Sequence, residues 1–132
     1  MVMYEQITNH IRVIVEPQFL ENQSKPDEAK YVWSYTITVE NNGAATVKLL
    51  TRHWIITDGI GRTQDVKGDG VVGELPVLRP GDRFQYTSGC PLSTPSGMMQ
   101  GTYGMMTSQG AKFDIAIPAF SLDSPYDKHS VN

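Results

Sequence analysis

One segment fixes the class of fold open to this chain. Across Tyr31-Val32-Trp33-Ser34-Tyr35-Thr36-Ile37-Thr38-Val39-Glu40 the odd positions carry Tyr, Trp, Tyr, Ile and Val, and the even ones are mostly Thr, Ser and Glu. Side chains alternate between the faces of a strand, so this run buries one face and leaves the other wet. No window shows a convincing 3.6-residue period, which leaves half-buried sheets as the source of a core.

The rest of the chain repeats that text in shorter pieces. Ile11-Arg12-Val13-Ile14-Val15 is β-branched and leads to Pro17, an edge-strand mark. Residues 22–30 are polar, contain Pro26 and form a loop. Asn41-Asn42-Gly43 offers the positive-φ residues of a hairpin turn. Residues 46–57 are a second long strand, in which Leu49-Leu50 breaks the alternation and predicts a bulge or a strand covered on both sides. Asp58-Gly59-Ile60-Gly61 is a turn, residues 62–67 a polar edge strand, and Arg79-Pro80-Gly81-Asp82 a type II turn. Residues 84–88, 98–107 and 113–118 supply further strands, and the domain closes near Leu122.

About seven short strands punctuated in this way describe an antiparallel β-sandwich of fibronectin type III or immunoglobulin kind, with a small β-barrel as the alternative. The single cysteine, Cys90, excludes an inter-sheet disulfide and favours the fibronectin-like version. Residues 1–123 are expected to form one β-sandwich domain and residues 124–132 a polar C-terminal tail.

Charge and hydropathy narrow the function. The 132 residues carry a net charge of −3, and neither half of the chain is basic, which argues against a nucleic-acid partner. No run approaches the ~20 apolar residues of a membrane span, so no membrane insertion is expected. The first sixteen residues carry Glu5 and Arg12 and lack the apolar stretch of a secretory signal. A lone cysteine fits a reducing compartment, and the expected location is cytoplasmic.

Gly68-Asp69-Gly70-Val71-Val72-Gly73 spells GxGxxG, the dinucleotide-loop pattern. That loop needs a helix after it, so that the helix N-terminus meets a pyrophosphate. Here Glu74-Leu75-Pro76-Val77-Leu78-Arg79-Pro80-Gly81 follows, and two prolines and a glycine leave no room for one. No Gly-Lys-Ser/Thr follows either, so this is not a P-loop. Two readings stay open. Gly68, Gly70 and Gly73 form a tight turn or bulge in which a Cβ would clash, or an anion nest whose backbone N–H groups bind phosphate, pyrophosphate or a nucleotide. Lys67 would help such an anion, and Asp69 and Glu74 would oppose it.

In a strand, Arg52 and Trp54 share one face and His53 takes the other. An exposed Arg and Trp make a protein-binding anchor, and a buried Trp under an Arg stem makes core. Arg52, Trp54 and Glu74 are accordingly the candidate partner-binding residues. No metal site is expected: His10, His53 and His129 fall in different elements, and Met98, Met99, Met105 and Met106 suit core filling. The two Gly-Met-Met units at 97 and 104 lie seven residues apart, which puts equivalent residues on opposite faces of a regular strand. Cys90 has no base placed beside it and is expected to be a buried, inert thiol. Without a Ser-His-Asp set or paired carboxylates, no catalytic residue, no enzyme activity and no cofactor are expected.

Several motifs occur together in a fixed order. Arg52-His53-Trp54-Ile55-Ile56 precedes Val66-Lys67-Gly68-Asp69-Gly70-Val71-Val72-Gly73-Glu74 and Leu78-Arg79-Pro80-Gly81. Phe84-Gln85-Tyr86-Thr87-Ser88-Gly89-Cys90-Pro91-Leu92, then Thr94-Pro95-Ser96-Gly97-Met98-Met99-Gln100-Gly101-Thr102-Tyr103, then Phe113-Asp114-Ile115-Ala116-Ile117-Pro118-Ala119-Phe120-Ser121-Leu122 complete the series. With these motifs the chain closely resembles the bacterial ApaG proteins over nearly its whole length. The resemblance implies a fibronectin type III-like sandwich and an association with cobalt resistance and magnesium efflux. It also implies a protein-binding role, since the same domain occurs in eukaryotic F-box proteins and in a polymerase-δ-interacting protein. The expected function is a non-catalytic binding module acting through a protein partner. The alternative is a sensor of phosphate, pyrophosphate or nucleotide at the glycine loop. Edge strands would also permit a homodimer, against which Pro17 and residues 62–67 look like defences.

Overall fold

The alternating segments become strands of two antiparallel sheets. The computed structural model describes residues 2–127. In chain order the strands are β1 (Tyr4–Thr8), β2 (Ile11–Phe19), β3 (Tyr31–Asn41), β4 (Val47–Asp58), β5 (Thr63–Asp69), β6 (Val77–Leu78), β7 (Arg83–Leu92), β8 (Gly97–Thr107) and β9 (Lys112–Leu122). One sheet has the order β1-β2-β3-β7 and the other β5-β4-β8-β9, with the short β6 paired to Val47 and Lys48 at the start of β4. This is a β-sandwich, and no helix among the described residues is long and apolar enough to cross a membrane.

The core lies between the sheets. Trp33, Tyr35, Ile37 and Val39 of β3 are all buried, as the alternation requires, and face Leu49, Trp54, Met99, Tyr103, Met105, Ile115 and Phe120 from the second sheet. Trp54 packs edge-on against Tyr35 and Phe120, with ring centroids at 5.4 and 6.0 Å. Each such ring contributes roughly 2 kcal/mol or more on burial.

The structure differs from the sequence expectation in three places. β1 has no alternating pattern to announce it, yet it pairs with β2 from Tyr4↔Val15 to Thr8↔Ile11. β2 is therefore an inner strand over most of its length, and Pro17 falls just past the end of β1, where no donor is needed. Asn41-Asn42-Gly43 does not close a hairpin: β3 belongs to one sheet and β4 to the other, so the link crosses the sandwich. The Asn41 side chain ties that crossing down by donating to the carbonyls of Ala45 and Leu78 and accepting from the Gly43 amide.

Other expectations hold. Gly81 has φ +89° and the Asp82 amide donates to the Arg79 carbonyl, which is the type II turn. The β4–β8 register slips between Leu49 and Thr51, which is the bulge. That slip changes which parity faces the core. Val47 and Leu49 point inward before it; Arg52, Trp54 and Ile56 take the inner side after it. Past β9, residues 124–127 still touch the domain: Ser124 is buried and donates to the Pro95 carbonyl, and the Tyr126 ring packs on Phe19 and Tyr31. The remainder of the expected tail, residues 128–132, lies outside the described residues.

Candidate functional site

The glycine motif and Arg52 make one construction. β5 pairs with β4 so that Gly68 lies opposite Arg52. A Cβ on Gly68 would fall 2.7 Å from the Arg52 guanidinium, so the missing side chain is what lets that guanidinium lie across the strand. From there Arg52 Nη1 donates to the carbonyls of Asp69 (2.8 Å) and Gly70 (2.9 Å). Gly70, at φ +63°, turns the chain away from β4, and a Cβ there would fall 2.2 Å from the Glu74 carbonyl oxygen. Val71 then drops its side chain into the core at 1% exposure. Val71 and Glu74 exchange two backbone hydrogen bonds of 2.9 Å around Val72 and Gly73, both at positive φ, which is a type I′ turn.

A Cβ would clash at Gly68 and Gly70 as the turn-and-bulge reading expects, but at Gly73 it meets nothing within 4 Å, and only the φ of +80° favours glycine there. Three amides of the loop are committed to backbone carbonyls: Gly70 to Leu50, Val71 to Glu74 and Glu74 to Val71. An anion at this loop would have to be held by the remaining amides, with Asp69 and Glu74 beside it.

Beside the loop, the edges of the two sheets stand apart. β5 ends one sheet and β7 ends the other, and between them opens a cleft of about 420 Å³. Its walls include Trp54, Ile56, Val66, Val71, Pro91 and Met99, and its polar groups include Arg52, Tyr35, Tyr86 and Ser88. The Tyr86 and Tyr103 hydroxyls share a short hydrogen bond. Burial pushes all three phenols, Tyr35, Tyr86 and Tyr103, above the usual tyrosine range, so they stay protonated donors near neutral pH. Burial also pushes the Cys90 thiol at the cleft wall up to about 11, away from the thiolate that a nucleophile needs.

The bulge decides what the predicted anchor residues do. Trp54 is 3% exposed and lies in the core, so it offers a partner no surface. Arg52 is half-buried at the cleft mouth, committed to the loop carbonyls on one side. Glu74 is exposed, closing the type I′ turn. Arg52, Trp54, Gly68 and Gly70 therefore come together, with Gly73 and Glu74 at the tip of the same loop. The three tyrosines come from β3, β7 and β8, and no local sequence pattern links them.

The other candidates scatter. His53 Nε2 lies 2.9 Å from Asp65 Oδ2, on the opposite face of β4 from Trp54. His10 sits in the β1–β2 turn at φ +67°, and His129 lies outside the described residues. Met99 and Met105 are buried and Met98 is exposed, as the odd spacing of the two Gly-Met-Met units requires. No group of three or more His, Cys, Asp or Glu among the described residues is arranged to hold a metal ion. A second depression, of about 580 Å³, lies on the other flank around Tyr4, Glu16, Phe19, Trp33 and Asp123.

Comparison with known proteins agrees with the motifs. Residues 21–107 match the model of the ApaG domain. The Protein ApaG of Paramagnetospirillum magneticum is 59% identical over 130 residues, spanning 98% of this chain and all of that one. The Protein ApaG of Rhodospirillum centenum is 56% identical over the same shares. The crystal structure of the ApaA protein from Bordetella pertussis superposes with a TM-score of 0.85 at 45% identity, covering 89% of this chain and 95% of that one.

Proposed function

This chain belongs to the ApaG family, and from that premise we propose that it is a non-catalytic binding module, serving cobalt and magnesium homeostasis through a protein partner. The recognition surface on this reading is the tip of the glycine loop. Val72 is the observation that carries it. A β-branched residue sits there at φ +44°, a conformation that glycine or asparagine adopts at far lower cost, and its side chain is 56% exposed. Neither local stability nor core packing accounts for a valine in that position. Leu75 and Val77, at 45% and 57% exposure, extend the apolar surface, and the exposed Glu74 adds a charge next to Leu75 in the chain. The Arg52 bonds and the double hydrogen bond of the turn hold this surface rigid, which lowers the entropy lost on binding.

The test separates fold from function. Val72→Asn relieves the φ strain and is expected to stabilise the domain by about 1 kcal/mol in urea unfolding. The same substitution, and Leu75→Asp with Val77→Asp, should fail to restore cobalt tolerance to cells lacking the protein, while wild type restores it. Full restoration by both variants would remove the loop tip as the recognition surface.

A further inference from the structure

We propose that the cleft between the β5 and β7 edges is a binding site for a small organic carboxylate with an aromatic or branched apolar body. This site adjoins the partner surface on the loop tip, with Val72 at the border of both, but its ligand is a small molecule and its test is separate. Its volume of about 420 Å³ falls within the range of small-molecule sites, and its walls are mainly apolar. Arg52 is its one charged group: no Asp or Glu lines the cleft, and none of the ion pairs among the described residues includes Arg52. A cation at the mouth of an apolar cleft, bonded only to neutral carbonyls there, is complementary to an anion.

The phenols add a donor. Either hydroxyl can donate in the Tyr86–Tyr103 bond; Tyr103 has no exposed surface, so a ligand acceptor in the cleft selects the arrangement in which Tyr103 donates and the Tyr86 hydrogen turns to the ligand. Tyr86 lines that cleft and feels the Arg52 charge. One guanidinium and one phenol suit a monoanionic carboxylate. A phosphate dianion would bring twice the charge into an apolar cleft against a single cation, and its desolvation would go uncompensated.

The test uses the full isotope-labelled chain and three probes. 4-Phenylbutyrate has the charge and the body, 4-phenyl-1-butanol the body alone, and inorganic phosphate the charge alone. The two indole N–H signals serve as site and control, because Trp54 lines the cleft while the Trp33 indole donates to the Asp123 carbonyl on the other flank. 4-Phenylbutyrate is expected to shift the Trp54 indole and the Val71 and Gly89 amides to saturation and to leave the Trp33 indole in place. The alcohol and phosphate should bind roughly tenfold or more weakly. Arg52→Gln should weaken 4-phenylbutyrate by a similar factor. Because Arg52 also braces the loop, a second variant is needed: Gln64→Glu, on an exposed β5 position at the cleft, sets a carboxylate against the ligand and should weaken it several-fold with the fold intact. Unmoved Trp54 signals up to roughly 10 mM probe, well into the range of negligible affinity, would overturn the proposal. Equal binding of the alcohol would overturn its charge component. Phosphate binding as tightly as 4-phenylbutyrate, with shifts at Gly68, Asp69 and Glu74 and none at the Trp54 indole or the Gly89 amide, would place the anion on the loop and not in the cleft, and would overturn it equally.

Discussion

The two flanks of this sandwich end in different ways. On one flank β1 lies against β9, and side-chain oxygens bridge the sheets: Thr8 Oγ1 accepts from the Ala116 amide at 3.2 Å and the Tyr4 hydroxyl from the Ser121 amide at 3.3 Å. On the other, the β5 and β7 edges stand apart: Arg52 bonds to carbonyls of its own loop, and the one bond that crosses there, between the Tyr86 hydroxyl of β7 and the Tyr103 hydroxyl of β8, is buried and does not join the two edge strands. On the first flank the two edge strands are bonded directly to each other across the sheets. The second keeps an opening between its edge strands that neither the Arg52 bonds nor the Tyr86–Tyr103 bond closes. That opening is where Val71 and Val72 of the glycine motif, Arg52, Tyr35 and Tyr86 converge.

The sharpest way to break this contrast is through the loop that shapes the open flank. Gly70→Ala puts a Cβ 2.2 Å from a backbone oxygen as well as at positive φ, and should cost about 3 kcal/mol in urea unfolding. Gly73→Ala meets nothing within 4 Å and should cost only the φ strain, about 1 kcal/mol. Equal losses would mean that the Gly70–Glu74 approach does not fix the loop. Next in size is a matched pair across the flanks. Arg52→Ala removes two charge-assisted bonds, should cost about 2 kcal/mol, and should speed hydrogen exchange at the Val71 and Glu74 amides. Thr8→Val orphans one amide on the closed flank and should cost about 1 kcal/mol.

The third prediction has no effect at neutral pH. The Cys90 thiol is raised from an ordinary 9.0 to about 11 by burial, so folding favours its protonated form. That contribution is complete below pH 9 and disappears as the pH rises from 9 towards 11, with Tyr35, Tyr86 and Tyr103 adding to the loss at the alkaline end. Stability measured from pH 8 to 11 should therefore decline above 9, and Cys90→Ala should flatten the early part of the decline. A thiol reagent at pH 8 should react with the native protein far more slowly than with the unfolded chain.

Legibility in the sequence followed the range of the forces involved. The long strands were legible because burial imposes a period of two on adjacent residues, and the turn at Arg79-Pro80-Gly81-Asp82 because proline and glycine fix φ locally. The use of Asn41-Asn42-Gly43 was not, since joining one strand to its neighbour or to the opposite sheet is decided by tertiary packing. β1 owes its existence to pairing with β2 and its contact with β9, not to any pattern in Tyr4-Glu5-Gln6-Ile7-Thr8. At the site, the shared face of Arg52 and Trp54 was legible but its direction was not. Leu49-Leu50 announces a bulge without saying which parity comes out facing the core. The cleft itself needed three strands from two sheets, which no local window contains.

The fit between Gly68 and Arg52 carries a consequence for how the chain can change. The space over position 68 holds either a side chain of its own or the guanidinium of residue 52. A methyl at 68 evicts the flexible arginine tip and so forfeits the same two bonds that Arg52→Ala forfeits. Once one change has been made, the other removes nothing further, so the two losses do not add. The two positions behave as a single heritable unit: a lineage that abandons one gains freedom at the other, and a lineage that keeps the arginine keeps the glycine locked.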